Sequence, residues 1–172
     1  MNTNQLKRFA KEARIKLLSQ ISRKMDFVLS EDAAILRGKE REIQQLKNKI
    51  QQLGKSQVVE NVAYTWFNRL MALRFMDANG YNMPKIVTPL KGMSNPEILQ
   101  NALAGTIDDA LNVDRQRLNE LLDGKTSAAD AQTEAYKMLL VAACNLNHKA
   151  MPFTFERISD YAELLLPDAR RH

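Results

Sequence analysis

The sequence predicts an all-α protein: a helical domain of about six or seven helices around a buried central helix, with an N-terminal basic helical arm. Glycine and proline are scarce, at 6 and 5 of 172 residues, and runs of β-branched residues are few, which favours helix over sheet. Apolar residues recur every three or four positions along most of the chain, the spacing of amphipathic helices. One stretch, residues 62–81, is apolar on almost every side of a helix and is therefore expected to be buried.

The first predicted helix runs from about residue 4 to 25. Its apolar positions are three or four residues apart and form one narrow stripe, which consists of Leu6, Ala10, Ala13, Leu17 and Ile21. Lys7, Lys11 and Arg14 share a neighbouring face, so cations stand directly beside the stripe.

A second helix is predicted after a break near Leu29 and Ser30, with Ser30 or Asp32 as its N-cap, and it extends to about residue 53. Its apolar residues fit the a and d positions of a heptad repeat, although Lys39 occupies one d position. These residues are Leu36, Ile43, Leu46, Ile50 and Leu53. Fewer than three heptads are too short to predict an autonomous coiled coil, and Gly54 ends the helix.

The central helix is predicted from about residue 57 to 79. Trp66 and Leu73 share one face and Phe67 lies beside it, while Tyr64 and Phe75 cover much of the far side. Arg69 and Arg74 lie within this apolar helix, and a buried guanidinium needs a partner. The nearest local partner for Arg74 is Asp77, and Gly80 is a suitable left-handed C-cap.

A connector and four further helices are predicted along the rest of the chain. The two prolines within residues 81–89 favour an extended connector. Asn95 and Pro96 are the expected N-cap and first residue of a short helix to about residue 104, and Asp114 is the expected cap of a helix that Gly124 stops. Longer helices are predicted at residues 128–147 and 155–166.

Positive charge is concentrated at the N-terminus. Residues 1–60 hold 13 Lys and Arg against 7 acids, whereas residues 61–172 hold 12 against 13. Clustered cations favour nucleic acid or another acidic partner. The DNA-binding candidates in the first helix are Lys7, Arg8, Lys11, Arg14, Lys16, Arg23 and Lys24. A solvated helix face and a membrane surface remain alternatives, the latter weakened because Phe9 is the only aromatic anchor in this basic segment.

Size and composition predict a soluble, cytoplasmic protein. The single Cys cannot form an internal disulfide and fits a reducing compartment. No apolar run approaches the ~18–20 residues that span a bilayer. Cys144 and His148 are four residues apart, but zinc needs about four ligands and the other histidine is His172. We therefore expect no metal site, and a buried cysteine beside a histidine at a helix end.

Three stretches of this sequence resemble one known family. VAYTWFNRLMALRFMDANGY (62–81), the opening MNTNQLKRFAKEARIKLLSQISRKMDFVL and the closing FERISDYAELLLP are similar to the N-terminal region of the BREX phage-defence adenine-specific DNA methyltransferases, the PglX family. The resemblance implies a helical N-terminal region that precedes the S-adenosylmethionine-binding domain of a larger enzyme. It marks Trp66, Phe67, Arg69, Leu73 and Arg74 as a core signature that recurs as a unit. The resemblance leaves open whether Arg69 and Arg74 hold the fold or contact DNA.

The chain lacks the chemistry of methyl transfer. It has neither a glycine-rich turn after a strand nor the Asn/Asp-Pro-Pro-aromatic tetrad that holds a flipped adenine; Asn95-Pro96-Glu97-Ile98 lacks the second proline and the aromatic. We therefore expect no catalytic residue and no cofactor in this chain, with S-adenosylmethionine serving the full-length enzyme that it resembles.

These expectations give two functional hypotheses. In the first, residues 1–56 are a basic helical arm and residues 57–172 a helical core of the N-terminal domain of a PglX-like enzyme. This domain would engage double-stranded DNA or dock the rest of the methyltransferase, with other BREX components as further candidate partners. In the second, the chain is a free-standing, non-catalytic module of the same ancestry that binds a protein through the Leu36–Leu53 helix.

Overall fold

Seven α-helices account for most of the residues that the structure describes. This computed structural model describes residues 3–30, 38–125, 130–156 and 160–167. The helices are α1 (Thr3–Leu29), α2 (Glu40–Leu53), α3 (Lys55–Ala78), α4 (Glu97–Leu103), α5 (Arg115–Leu122), α6 (Ala131–Asn147) and α7 (Asp160–Leu164). Within those ranges the only β-type pairing is an isolated bridge between Pro89 and Pro96. The predicted all-α class is confirmed.

Contacts divide the described chain into two compact units. The first contains α1, α2, the part of α3 up to Asn68, and α7; the second runs from Arg69 through α4, α5 and α6. The division falls within α3, after Asn68. The predicted domain boundary at residue 56 stays a prediction.

In the first unit the buried residues that the structure describes in α1 lie in its second half. Leu17, Ile21, Met25 and Val28 are buried, whereas Ala10 and Ala13 of the same stripe are half-buried and the Leu6 side chain lies outside what the structure describes. The helix extends to Leu29, about one turn beyond the predicted end, and Ser30 follows with its hydroxyl donating to Phe27 O over 2.7 Å.

α2 packs against α7 in the same unit. Its Leu46 is fully buried, and Ile43 and Ile50 are half-buried. The helix begins at Glu40, not at Ser30 or Asp32, and the carboxylate of Glu40 accepts a hydrogen bond from Gly38 N. Backbone N–H groups at this helix start lower the pKa of Glu40. Asp32 and Leu36 lie outside the described residues.

α3 has the predicted bounds but not the predicted all-round burial. Trp66 and Leu73 are fully buried, whereas Tyr64 and Phe75 are 65% and 61% exposed. The expectation that the far side of the helix is also covered is wrong: its aromatic residues face solvent. The polarity of the residues does not show which face of α3 is buried, because both faces are apolar.

α3 ends as predicted. Gly80 adopts φ +71°, which a residue without Cβ reaches at little cost. Gly80 N donates to Asp77 O over 3.3 Å and Tyr81 N donates to Met76 O over 2.9 Å. These two bonds are the Schellman pattern of a left-handed helix end.

In the second unit α6 packs against α4 and α5. Asp130 caps α6 by accepting from Thr133 N over 3.0 Å, and Asp114 caps α5 by accepting from Arg117 N over 3.0 Å, as predicted for Asp114. The Asn95 prediction is wrong, because Pro96 occupies the N-cap of α4 and no side chain caps it. The predicted helix at residues 155–166 is also too long: Phe155 and Glu156 are not helical, and α7 ends at Leu164.

Candidate nucleic-acid interface

Three cations in the first half of α1 are exposed and have no carboxylate partner among the described residues. Lys7, Lys11 and Arg14 are exposed, and none of the described acidic side chains lies within ion-pair distance of them. Their spacing of four and three residues places them on one side of the helix, over ~10 Å of its length at 1.5 Å per residue. We call these three residues the cation line.

The cation line continues into the buried side of the same helix. The next positions at the same spacing are Leu18, Ile21, Met25 and Val28; Leu18 is half-buried and the other three are buried. One side of α1 therefore changes from cationic to apolar at its middle. The apolar half fixes the helix in the first unit, and the cationic half is left to solvent.

The remaining DNA-binding candidates differ in their surroundings. Arg8 is exposed and pairs with Glu12 over 3.5 Å across one turn, a contact of small energetic value at 80% and 69% exposure. Lys16 is exposed. Arg23 donates to both the backbone oxygen and the hydroxyl of Ser19.

Lys24 is the seventh candidate and is half-buried. Its Nζ lies 5.6 Å from the centroid of the Phe27 ring, a cation–π contact. Arg23 and Lys24 thus make local contacts within α1, whereas no hydrogen bond or ion pair joins the cation line to a residue in the described ranges.

The signature tryptophan and first arginine are structural anchors. Trp66 Nε1 donates to Ala162 O over 3.1 Å, which joins α3 to α7 within the first unit. Arg69 is buried, and its Nη2 donates to Glu156 O over 2.6 Å in the second unit. Burial lowers the pKa of Arg69. Phe67 is half-buried and Leu73 fully buried.

Arg74 does not pair with Asp77. Arg74 is exposed and its Nη1 donates to Thr88 Oγ1 over 3.0 Å. The expected pairing is wrong because the carboxylate of Asp77 is buried and accepts backbone N–H groups, whereas Arg74 stays exposed.

Asp77 organises the segment that follows α3. Its carboxylate accepts backbone N–H groups from Ile86, Val87 and Thr88 at 3.0, 2.9 and 3.0 Å, and Asn82 Nδ2 donates to it over 2.9 Å. Such charge-assisted bonds to backbone N–H groups are among the stronger ones in proteins. Sequence reasoning missed this role. The available signal was a lone acid at the end of an apolar helix, followed by a proline-containing segment whose N–H groups needed acceptors.

Tyr136 also binds the segment at residues 86–88. Its hydroxyl donates to Ile86 O over 3.1 Å from α6. Burial raises the pKa of Tyr136, and the neighbouring Asp77 charge acts in the same direction. The phenol therefore stays protonated and keeps its donor.

Cys144 and His148 do not form a reactive pair. Cys144 is buried, and burial raises the pKa of its thiol to about 12, against a smaller opposing effect of Arg69. His148 Nδ1 lies 2.7 Å from Phe155 O, a carbonyl oxygen that accepts its hydrogen bond. A protonated thiol is not a nucleophile. Among the described residues no group of three or more His, Cys, Asp or Glu side chains converges as a metal site would require.

The helices of the described chain also show no membrane-spanning segment. None of them is both long enough and apolar enough to cross a bilayer.

Comparison with known proteins supports the resemblance found in the sequence. No family model matches the chain. The adenine-specific methyltransferase BrxX of Escherichia coli O9:H4 (strain HS) is 30% identical over 146 residues, which cover 73% of this chain and 10% of that protein. The adenine-specific methyltransferase PglX of Lacticaseibacillus casei (strain Zhang) is 35% identical over 115 residues, 63% of this chain and 9% of that protein.

The chain spans about a tenth of the length of these relatives. Both relatives are adenine-specific methyltransferases, and the similarity to each extends over most of the present sequence. The chain therefore corresponds to one region of a BREX PglX-like methyltransferase.

Proposed function

We propose that this chain is the N-terminal helical domain of a PglX-like N6-adenine DNA methyltransferase, and that it engages double-stranded DNA through α1. The cation line carries the proposal: Lys7, Lys11 and Arg14 lie exposed on one side of a helix whose other half is anchored. The relatives are named adenine-specific methyltransferases, and an adenine within a nucleic acid is accompanied by phosphates, which supports a polyanion as the partner of that line.

The contact would be made to phosphates. Lys and Arg that reach phosphate oxygens position a protein on a duplex without reading its bases. Binding by α1 alone should therefore be largely independent of sequence. Methyl transfer, and the S-adenosylmethionine that serves it, would belong to a part of the enzyme outside this chain.

Docking of a protein on α2 is the weaker alternative. The apolar side of α2 already packs against α7, with Leu46 fully buried. Leu53 is 47% exposed, but one exposed leucine at a helix end is ordinary for a protein surface. The described part of the Leu36–Leu53 helix therefore offers little uncovered apolar surface for a partner.

Fluorescence anisotropy with a labelled ~20 bp duplex tests the proposal. Each neutralised phosphate contributes a slope of about −0.9 in log K against log salt, so three contacts give about −2.7. A variant with Lys7, Lys11 and Arg14 each changed to Gln should lose most of its affinity and most of this slope. Two duplexes of equal length and different sequence should bind alike.

The matched control removes the same charge elsewhere. Lys47, Lys125 and Lys149 are exposed and lie outside α1, and changing all three to Gln should leave most of the affinity and slope intact. Absence of salt-dependent binding by the wild-type chain would refute the proposal. Equal losses in the two triple variants would also refute it, because binding would then follow net charge and not the cation line.

A further inference from the structure

Two aromatic rings are exposed side by side at the end of α3. Phe75 and Tyr81 are 61% and 68% exposed, and their ring centroids lie 6.3 Å apart with the planes tilted by 58°. Met71, one turn before Phe75, is 36% exposed. Large aromatic side chains usually cover apolar surface in a core; these two are paired with each other and remain open to solvent.

The position of the pair is fixed by backbone contacts. Tyr81 follows the Schellman turn at Gly80, and its N–H donates to Met76 O. Arg74 precedes Phe75 and is held by Thr88 Oγ1, while Thr88 N donates to the carboxylate of Asp77. The two rings and the guanidinium therefore belong to a segment that Asp77 holds in one conformation, so binding there requires little ordering.

The exposed charges in the stretch of sequence that holds the pair have one sign. Between Arg69 and Asn95 the single acid is Asp77, and its carboxylate is buried and accepts four hydrogen bonds. The exposed charges of this stretch, Arg74 and Lys91, are both positive, and Lys85 is half-buried. Just beyond this stretch, Glu97 is half-buried and its carboxylate accepts a hydrogen bond from Lys85 N. An aromatic pair with exposed cations in the same stretch complements a polyanion that carries flat rings.

We infer that Phe75 and Tyr81, with Arg74 beside them, form a stacking platform for unpaired bases of single-stranded DNA. Every base has a π face, and stacking on aromatic or guanidinium planes is the usual way that proteins hold unpaired nucleotides. The inference adds a second kind of DNA contact to the proposed function. It does not depend on α1, because the aromatic pair would stack on base rings whereas the cations of α1 would contact phosphates.

Two labelled strands of equal length separate bases from phosphates. One is a ten-nucleotide oligothymidine, and the other is a ten-unit strand of abasic sites with the same phosphates. At one salt concentration the wild-type chain should bind the thymidine strand about tenfold or more tightly, as expected for one stacked base or more. Changing Phe75 and Tyr81 together to Ala should abolish this preference and leave the affinity for the abasic strand unchanged.

A second pair of substitutions guards against misfolding. Phe75→Leu with Tyr81→Leu keeps apolar volume but removes the rings, and it should also abolish the preference. Tyr81→Phe should retain it. Phe153 is an aromatic residue that is 97% exposed elsewhere, so Phe153→Ala should have no effect on the preference. Circular dichroism and the Tm of each variant establish that it is folded.

The α1 triple variant separates this inference from the proposed function. It should change the affinity for both strands by the same factor, which equals one if α1 contacts no phosphate, and it should leave their ratio unchanged. Equal binding of the two strands by the wild-type chain would overturn the inference. So would a preference that survives in the folded Leu variant, and the aromatic pair would then be a surface for an acidic protein.

Discussion

The first half of α1 and the second half of α3 both place cations beside apolar residues, yet they use them in opposite ways. In α3, Arg69 is buried against Glu156 O and Arg74 donates to Thr88 Oγ1. In α1, Lys7, Lys11 and Arg14 are exposed, and no carboxylate of the described chain pairs with them. The two arginines of α3 therefore have hydrogen-bond partners in the fold, whereas the three cations of α1 have no acidic partner among the described residues and are left for the binding role that we propose.

Trp66→Ala should give the largest loss of stability. Trp66 is fully buried and donates to Ala162 O, so truncation empties a large site and leaves a buried carbonyl without its donor. We expect a loss of ~3–5 kcal/mol in the free energy of unfolding, measured by urea denaturation. Trp66→Phe, which keeps most of the ring volume, should cost much less.

Trp66 is the only tryptophan in the chain, so the wild-type emission spectrum gives an independent check. Emission from the native protein should be blue-shifted relative to the urea-unfolded chain. A red-shifted native spectrum would mean that the ring is in water, and the structural role given to α3 would then fail.

Asp77→Ala should be the next largest effect. The substitution removes the acceptor of three backbone N–H groups and of Asn82 Nδ2. Buried donors left without partners cost about 1–3 kcal/mol each, so a total loss of ~3 kcal/mol is expected for this partly exposed segment. Asp77→Asn, which keeps one acceptor oxygen, should lose less.

The matched control is Asp109→Ala. Its carboxylate is 99% exposed and pairs with Arg115 over 2.8 Å. Exposed ion pairs contribute little, so the loss should stay below about 1 kcal/mol. Equal losses for the two substitutions would show that the buried position of Asp77 is not what makes it important.

Local signals in the sequence predicted a large part of this fold. The Gly80 turn, the Asp114 cap and the burial of Trp66 each follow from residues within one or two turns of each other. The cation line also follows from helical spacing alone. What could not be predicted depends on residues distant in sequence: the acceptor role of Asp77 needs N–H groups nine to eleven residues away, and the exposure of Tyr64 and Phe75 depends on which elements pack against α3.

Stability should depend on pH through Cys144, which lies near Arg69 in the second unit. Burial raises the pKa of this thiol from 9.0 to about 12. Between these values the unfolded chain loses a proton that the folded chain keeps. The free energy of unfolding should therefore fall as pH rises from about 9, by up to ~1.4 kcal/mol per pH unit.

Urea denaturation at pH 8, 9 and 10 measures this dependence. Cys144→Ala should show a flatter dependence across that range, and below pH 8 the two proteins should differ by a constant amount. Tyr136, whose pKa is also raised, contributes in the same direction but is present in both proteins. Identical slopes would show that the thiol is not held in the protonated form by burial.

The smallest effect on stability should come from the cation line. Lys7, Lys11 and Arg14 are exposed and pair with no described acid, so changing all three to Gln removes no contact that holds the fold. We expect helicity to be unchanged and the free energy of unfolding to shift by no more than about 0.5 kcal/mol. The same three cations repel one another, so a slight increase in stability at low salt is the expected direction. A loss of several kcal/mol in this variant would place the line in the same structural class as Arg69, and the contrast between α1 and α3 would no longer hold.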